Sequence, residues 1–253
     1  MTIHPSAEAF AGVAATYERG RPEYPRGLLD WLTERGDIRA GASVVDIGAG
    51  TGKLMRLLVG HGARVIAVDP LPEMLAELEN VVPQAERRLG RATALPIDDE
   101  SADLAVCGQS FHWFASAEAL AEIARVLRPD GSLVLVWNVR DESDPVQARL
   151  SELFERDRGD TPSHRSGVWR EVMNATTRFR PDGEYTATTE QLVDRAGLID
   201  RVESTSSVAA LTGGARGELL AEVGSLVPST GRIELRYRTD AYGYRRANGR
   251  MAP

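Results

Sequence analysis

The 253-residue sequence contains one cysteine, Cys107, one lysine, Lys53, and four histidines. A single thiol excludes an internal disulfide, and its place in the apolar run Asp103-Leu-Ala-Val-Cys-Gly108 reads as a small buried residue. The histidines, at positions 4, 61, 112 and 164, are too scattered for a metal centre, and H-E-x-x-H and C-x-x-C are both missing. G-x-S-x-G, the mark of one large class of serine nucleophiles, is missing too. With lysine almost unused, positive charge is carried by arginine, whose planar fork suits carboxylates. Net charge is −7, which disfavours broad attraction to nucleic acid or anionic membrane. No apolar run approaches the ~20 residues of a membrane span. Met1-Thr-Ile-His-Pro5 has neither a basic start nor an apolar leader core, so a cytoplasmic protein is expected. What remains is an ordinary globular composition, 42% hydrophobic and 26% charged.

The most informative stretch is Ser43-Val-Val-Asp-Ile-Gly-Ala-Gly-Thr-Gly-Lys53. Ser43 to Ile47 reads as a buried strand; Gly48, Gly50 and Gly52 follow at alternate positions; Leu54, Leu57 and Leu58 then take helical spacing. Strand, glycine turn and helix bring a backbone close to a nucleotide-sized ligand, because glycine has no Cβ and tolerates φ > 0. By itself such a turn is also compatible with a tight loop that binds nothing. A second apolar run, Arg64 to Asp69, ends in a carboxylate nineteen residues beyond Gly50, where it can hold ribose hydroxyls. The dinucleotide pattern G-x-G-x-x-G would require glycine at position 53, where Lys53 stands. Asp46, just before the first glycine, would repel a pyrophosphate and suit a cationic ligand, accepting from loop amides or reaching an ammonium through water.

Taken in order, Ser6 to Arg19 is expected as a helix capped by Ser6, and Pro25 opens another that ends at Gly36. Pro72 to Val82 is amphipathic, with Met74 more a core residue than a ligand contact. A short third strand is expected over Arg88 to Ala92, a fourth over Asp103 to Gly108, a helix over Ser116 to Leu127, and a strand over Ser132 to Val139. This alternation predicts a parallel, doubly wound α/β sheet, with Gly48, Asp69, Gln109 and Asn138 on the carboxyl rim where ligands bind. Arg140 to Pro181 breaks the alternation and reads as a helix followed by a polar, arginine-rich insertion, either a solvated surface or a lid. A strand is expected over Glu184 to Thr188, helices over Glu190 to Leu198 and Gly217 to Val227, a half-covered strand over Gly231 to Thr239, and a loose tail from Ala247.

V-V-D-I-G-A-G-T-G, A-V-D-P, F-H-W-F and R-V-L-R-P-D-G-S-L together resemble class I S-adenosylmethionine (SAM)-dependent methyltransferases, and more closely the small-molecule group that includes trans-aconitate methyltransferase-like proteins. The resemblance is strongest over Tyr17 to Asn138 and weaker to Arg246. It implies a single domain with a mostly parallel seven-stranded sheet closed by an antiparallel strand: a helical cap over 1–36, a SAM-binding core over 43–139, an insert or lid over 140–181 and C-terminal strands and helices over 182–246. It implies SAM as cofactor, S-adenosylhomocysteine (SAH) as product, no metal, and a small-molecule methyl acceptor. The cofactor contacts it implies are Tyr17, Arg21, Asp46, Gly48, Gly50, Gly52, Asp69, Pro70, Ala92, Thr93 and Gln109. The family often places an acid near the third strand to hold the adenine amine; Arg91 and Thr93 stand there instead, leaving backbone groups near Ala92 and Thr93 for that contact. Trp113, Phe114, Asn138 and Arg140 would face the acceptor. His112 would act as a general base or only pack the loop. Arg21 would meet the SAM carboxylate, and Arg140 would clamp an acidic acceptor. A non-catalytic SAM-binding protein and a nicotinamide-dependent oxidoreductase are the competing readings.

Overall fold

The computed structural model describes residues 3–156, 158–211, 213–228 and 230–247. Seven strands form one sheet: β1 (Ser43–Ile47), β2 (Arg64–Asp69), β3 (Glu86–Leu89), β4 (Ala102–Gly108), β5 (Leu127–Arg140), β6 (Phe179–Val193) and β7 (Ile233–Arg246). The helices are α1 (Pro5–Glu8), α2 (Ala14–Gly20), α3 (Arg26–Glu34), α4 (Lys53–Leu58), α5 (Pro72–Val81), α6 (Ala117–Val126), α7 (Pro145–Arg156), α8 (Val168–Ala175), α9 (Arg195–Glu203), α10 (Ser206–Ala209) and α11 (Gly214–Gly224). Spatial order is β3-β2-β1-β4-β5-β7-β6. Strands β1 to β5 pair in parallel, whereas β7 runs antiparallel to β5 and β6. The order reverses between β1 and β4, which leaves a crevice at their carboxyl ends.

Strand periodicity divides the core. Val45, Ile47, Ile66, Val68, Ala105 and Cys107 face one layer; Val44, Ala67, Leu104 and Val106 face the other. All ten are buried, and burying each large aliphatic side chain stabilises by roughly 1.5–3 kcal/mol. The two-sided burial explains why β1, β2 and β4 read as continuous apolar runs. A third cluster joins α7, α9 and α11 to β7 through residues such as Phe154, Leu198, Leu219 and Tyr237.

Several boundaries differ from the expectations. The first helix is broken into α1, a 3-10 turn (Ala9–Val13) and α2, and its cap is His4, whose Nδ1 accepts the Ser6 amide at 3.2 Å. Ser6 itself is buried and shares a 2.9 Å hydrogen bond with Thr161 Oγ1. Strand β3 lies at Glu86–Leu89, two to three residues before the expected run, because register with β2 sets it: Asp69 lies opposite Leu89. Glu190 to Val193, expected as helix, continues β6, and the helix begins only after Asp194, whose side chain caps the Gly197 amide. Pairing with β7 over Glu190–Val193 supplies the backbone partners that override the local helical pattern. Strand β7 extends to Arg246. The expected loose tail lies outside the described residues except for Ala247, whose amide donates to the Arg178 carbonyl at 2.8 Å.

The insertion after β5 is more ordered than its polar composition suggests. It contains α7 and α8, and α8 buries Trp169 against Trp137 of β5 with ring centroids 4.4 Å apart.

Candidate functional site

The β1–α4 turn is built by glycines in the left-handed region: Gly48 at φ +68°, Gly50 at +56° and Gly52 at +87°. The three do different things. A Cβ on Gly50 would meet nothing within 4 Å, so its backbone faces open space. A Cβ on Gly52 would press on Leu78 at 3.0 Å, so this glycine serves helix packing. A Cβ on Gly48 would sit 2.6 Å from Ser110 Cβ, and Ser110 Oγ donates to the Ile47 carbonyl at 2.6 Å. Gly48→Ala should therefore destabilise by about 1–3 kcal/mol more than Gly36→Ala. Gly36, at φ +76°, carries only the backbone cost, since a Cβ there meets nothing. Denaturant titration of the two variants checks this; equal losses would show that Ser110 yields freely.

Asp69 ends β2 and is fixed by two amides: Oδ2 accepts from Gly50 and Oδ1 from Leu71, both at 2.9 Å. Burial raises its carboxyl to about 6 against the pull of those two bonds. Asp46 is 1% exposed, and neither of its oxygens has a hydrogen-bond partner among the described residues. Burial first, and the charge of Asp69 second, push it up to about 7. The loop amides therefore do not satisfy Asp46.

In front of the glycine turn lies a cavity of about 420 Å³, with room for a nucleoside-sized ligand. Tyr17, Gly48, Gly50, Asp69, Pro70, Ala92, Thr93 and Gln109 line it, as do Trp113 and Phe114. Ala92 and Thr93 sit in a turn closed by the Ala94 amide on the Arg91 carbonyl at 2.9 Å. Met74, buried at 3% exposure, also reaches the wall. Ile3, His4, Pro5, Ala7 and Phe10, within the segment expected as a cap, also line it, as does Pro162; none of them was expected in the site, and no local motif marks the contact that Pro162 makes from about 150 residues away. Segment Tyr17 to Pro25 is tied down by an ion-pair network: Lys53 meets Glu18 at 3.2 Å and Glu23 at 2.7 Å, and Arg56 meets the same two acids at 2.9 and 2.8 Å. The Thr51 hydroxyl donates to Glu18 at 2.6 Å, so this segment is anchored on the glycine turn itself.

Residues 45–135 match the family model described as a methyltransferase domain. An uncharacterized methyltransferase-like protein of Schizosaccharomyces pombe is 45% identical over 167 residues, 66% of this chain and 65% of that protein. An uncharacterized methyltransferase of Mycobacterium tuberculosis is 47% identical over 149 residues, 59% of this chain and 60% of that protein. The chain thus spans between 58% and 65% of the length of these first curated relatives. A solved structure of a proposed type II methyltransferase from Anaeromyxobacter dehalogenans superposes with a TM-score of 0.66 at 26% identity, over 89% of this chain and 97% of that one. The fold is that of the class I methyltransferases.

A second cavity, about 150 Å³, adjoins the first. Phe10, Tyr17, Gln109, Trp113 and Pro162 line both. Gln109 holds a left-handed φ of +56°, an uncommon conformation for a residue with a side chain, and its amide donates to the Asn138 carbonyl at 3.0 Å. Asn138 is fixed in turn by the Thr239 hydroxyl at 2.6 Å and by its own bond to the Glu23 carbonyl at 3.2 Å. His112, Asn138 and Arg140 line the second cavity, as does Arg21, which was expected at the cofactor and does not line the first cavity. Phe114, expected toward the acceptor, lines only the first cavity and packs edge-on to Phe111. Asp46 and Gly52 line neither.

His112 is half-buried in the wall of the second cavity. Trp137 Nε1 donates to its Nδ1 at 3.2 Å, and burial, with the nearby His164 and Arg21, takes the imidazole down to about 3. The ring is therefore neutral at physiological pH. With Nδ1 accepting, the remaining proton is assigned to Nε2. Loop 158–165 closes the far side, where Trp169 Nε1 of α8 holds the His164 carbonyl at 2.9 Å. Among the described residues no group of histidine, cysteine and acid side chains is placed to hold a metal ion, and no helix is long and apolar enough to cross a membrane.

Proposed function

We propose that this chain transfers a methyl group from SAM, held in the larger cavity, to a small-molecule acceptor held in the smaller one. The observation that carries this reading is the meeting of the two cavities at Tyr17, Gln109 and Trp113. SAM supplies an already activated methyl group on a positive sulfur, and leaves SAH. The chain's share is to bind, align and exclude water.

Several features in and beneath the larger cavity fit SAM. The Gly50 backbone leaves space beside it, and the Asp69 carboxylate, pinned by two amides, has lone pairs left for ribose hydroxyls. Beneath the loop, behind the cavity wall, the Asp46 carboxylate has no hydrogen-bond partner among the described residues and favours a cation reached through water. Backbone groups at Ala92 and Thr93 are in place for the adenine edge, and Pro70 and Tyr17 for packing. Tyr17 and Trp113 put aromatic faces on the wall between the cavities, suited to a positive sulfur.

The role of His112 follows from its partner. A base there would have to give up the Trp137 hydrogen bond and become charged in a buried site. We read it as a fixed Nε2–H donor facing the acceptor, whose reacting atom must already carry an unprotonated lone pair. His112→Ala should then lower kcat by less than the roughly 10²–10⁴-fold expected for loss of a base. Between pH 6 and 9 the wild-type profile should show no step assignable to this ring. A 10³-fold loss in kcat with an acidic limb absent from the variant would restore the base role.

The overall reading is tested by calorimetry with SAM and SAH, followed by incubation of a small-molecule extract with methyl-labelled SAM and mass spectrometry of the products. Tight binding with a labelled product is expected. Tight binding with no product from any extract would favour a SAM-binding protein without catalysis, and no binding would overturn the assignment of the larger cavity.

A further inference from the structure

The smaller cavity carries an excess of positive charge. Five arginines line it: Arg21, Arg140, Arg158, Arg165 and Arg201; Glu155 is the one acid among its described lining residues. Two of the five are neutralised at the rim, Arg158 by Glu155 at 2.8 Å and Arg165 by Glu142 at 2.5 Å. The other three converge from different elements and are held only by neutral groups. Arg21 follows α2, donates from Nη2 to the Ser204 carbonyl at 2.6 Å, and lies over the Tyr17 ring at 4.8 Å. Arg140 ends β5, donates from Nε to Ser151 Oγ at 2.8 Å, and lies over Phe154 at 4.7 Å. Arg201 of α9 is 4% exposed and donates to the Tyr237 hydroxyl at 3.0 Å and to Thr205 Oγ1 at 3.2 Å.

None of these three forms an ion pair with a described carboxylate, and the buried Arg21 Nε has no hydrogen-bond partner among the described residues. Burial, then the charge of Arg201, brings Arg21 down to about 10; burial, then Arg201 and Arg165, brings Arg140 down to about 9. Both stay charged at neutral pH. Glu142 lies close enough to feel the charge of Arg140 but makes no ion pair with it, and three like charges largely withdrawn from water without a carboxylate in contact are unfavourable unless something negative joins them. Each guanidinium is already oriented and keeps unused N–H groups, which is the arrangement that favours an incoming oxyanion.

We propose that the smaller cavity takes an acceptor bearing at least one carboxylate or phosphate group, clamped by Arg21, Arg140 and Arg201. Arg140 and Arg201 line this cavity and not the larger one, so the clamp grips the acceptor away from the SAM site. The proposal rests on the methyltransferase reading and names the substrate class for it.

The test is calorimetric titration of the full chain, saturated with SAH, with succinate, with pyrophosphate and with 1,4-butanediol, the neutral analogue of succinate. At least one anion should bind, more weakly as salt rises, and the diol should not. Succinate alone binding identifies a carboxylate anchor; pyrophosphate alone identifies a phosphate. Arg140→Gln should weaken the anion at least roughly tenfold, Arg140→Lys should restore most of that loss, and SAH affinity should stay within about twofold in both. Wild-type discrimination between succinate or pyrophosphate and the diol decides the matter even if Arg140→Gln does not fold. Diol binding as tight as the anions, no anion binding to the SAH-loaded chain, or equal anion affinity in Arg140→Gln would each overturn the clamp while leaving the methyltransferase reading intact. Failure of SAH to bind would overturn both.

Discussion

Asp69→Ala should weaken SAM binding by roughly 10- to 150-fold, the equivalent of one charge-assisted hydrogen bond of about 1.5–3 kcal/mol. The carboxylate does two jobs. It is the acceptor for the Gly50 and Leu71 amides, and so holds the glycine turn in shape before any ligand arrives. Its remaining lone pairs face the larger cavity, where ribose hydroxyls would sit. Alanine removes both, leaving two amides without their partner. The fold itself should persist, because β2 is fixed by parallel pairing with β1 and β3 and by the buried Val65, Ile66 and Val68. Calorimetry with SAM, with circular dichroism as the check on folding, measures the effect; unchanged affinity in a folded variant would remove Asp69 from the ligand site.

The second large effect concerns Asp46 and has a definite sign. Its carboxyl is raised to about 7 in the folded chain, by burial first and by Asp69 second, against an ordinary value near 4 when unfolded. Below pH 4 both states hold the proton and the contribution to stability is complete. Between pH 4 and 7 the unfolded state ionises while the folded state does not, so stability falls as pH rises, by up to about 1.4 kcal/mol per pH unit. Above pH 7 both are ionised and the loss levels off at about 4 kcal/mol. Asp46→Asn removes this slope, so the ligand-free variant should be the more stable protein at pH 7.5 and show no such advantage at pH 4. The same variant should bind SAM more weakly, because an amide offers no charge to a cationic ligand. Thermal unfolding of both proteins across pH 4 to 8, with and without SAM, measures both effects; parallel pH profiles would show that the carboxyl is not buried and unpaired. Stability given up in the empty protein and regained with ligand is the expected behaviour of a charge positioned for binding rather than for folding.

The parallel half of the sheet was legible because it rests on local chemistry. Val44, Val45, Ile66 and Val68 are apolar on both faces, as buried parallel strands must be, and three alternating glycines meet a backbone demand that few other residues satisfy. Asp69 was legible by spacing, since one βαβ unit fixes the distance from a glycine turn to the next strand tip. Arg21 was not. Its sequence neighbours put it beside Tyr17, but the arginine reaches Ser204 because α2 packs on α9, nearly 180 residues further on. The helix expected at Glu190 failed for a similar reason: its pattern was helical, and pairing with β7 outweighed it.

The sequence by itself determined the parallel fold, the glycine turn and the two carboxylates, because each depends on conformational or hydrophobic constraints acting within a few residues or one βαβ unit. Only the tertiary structure decided which residues share a cavity. It set Arg21, Arg140 and Arg201 around one cavity, gave His112 a Trp137 partner that holds its lone pair, and left Asp46 without a hydrogen-bond partner among the described residues. The charge state and role of a side chain depend on what packs within a few ångströms of it, and those neighbours come from elements that no local pattern relates.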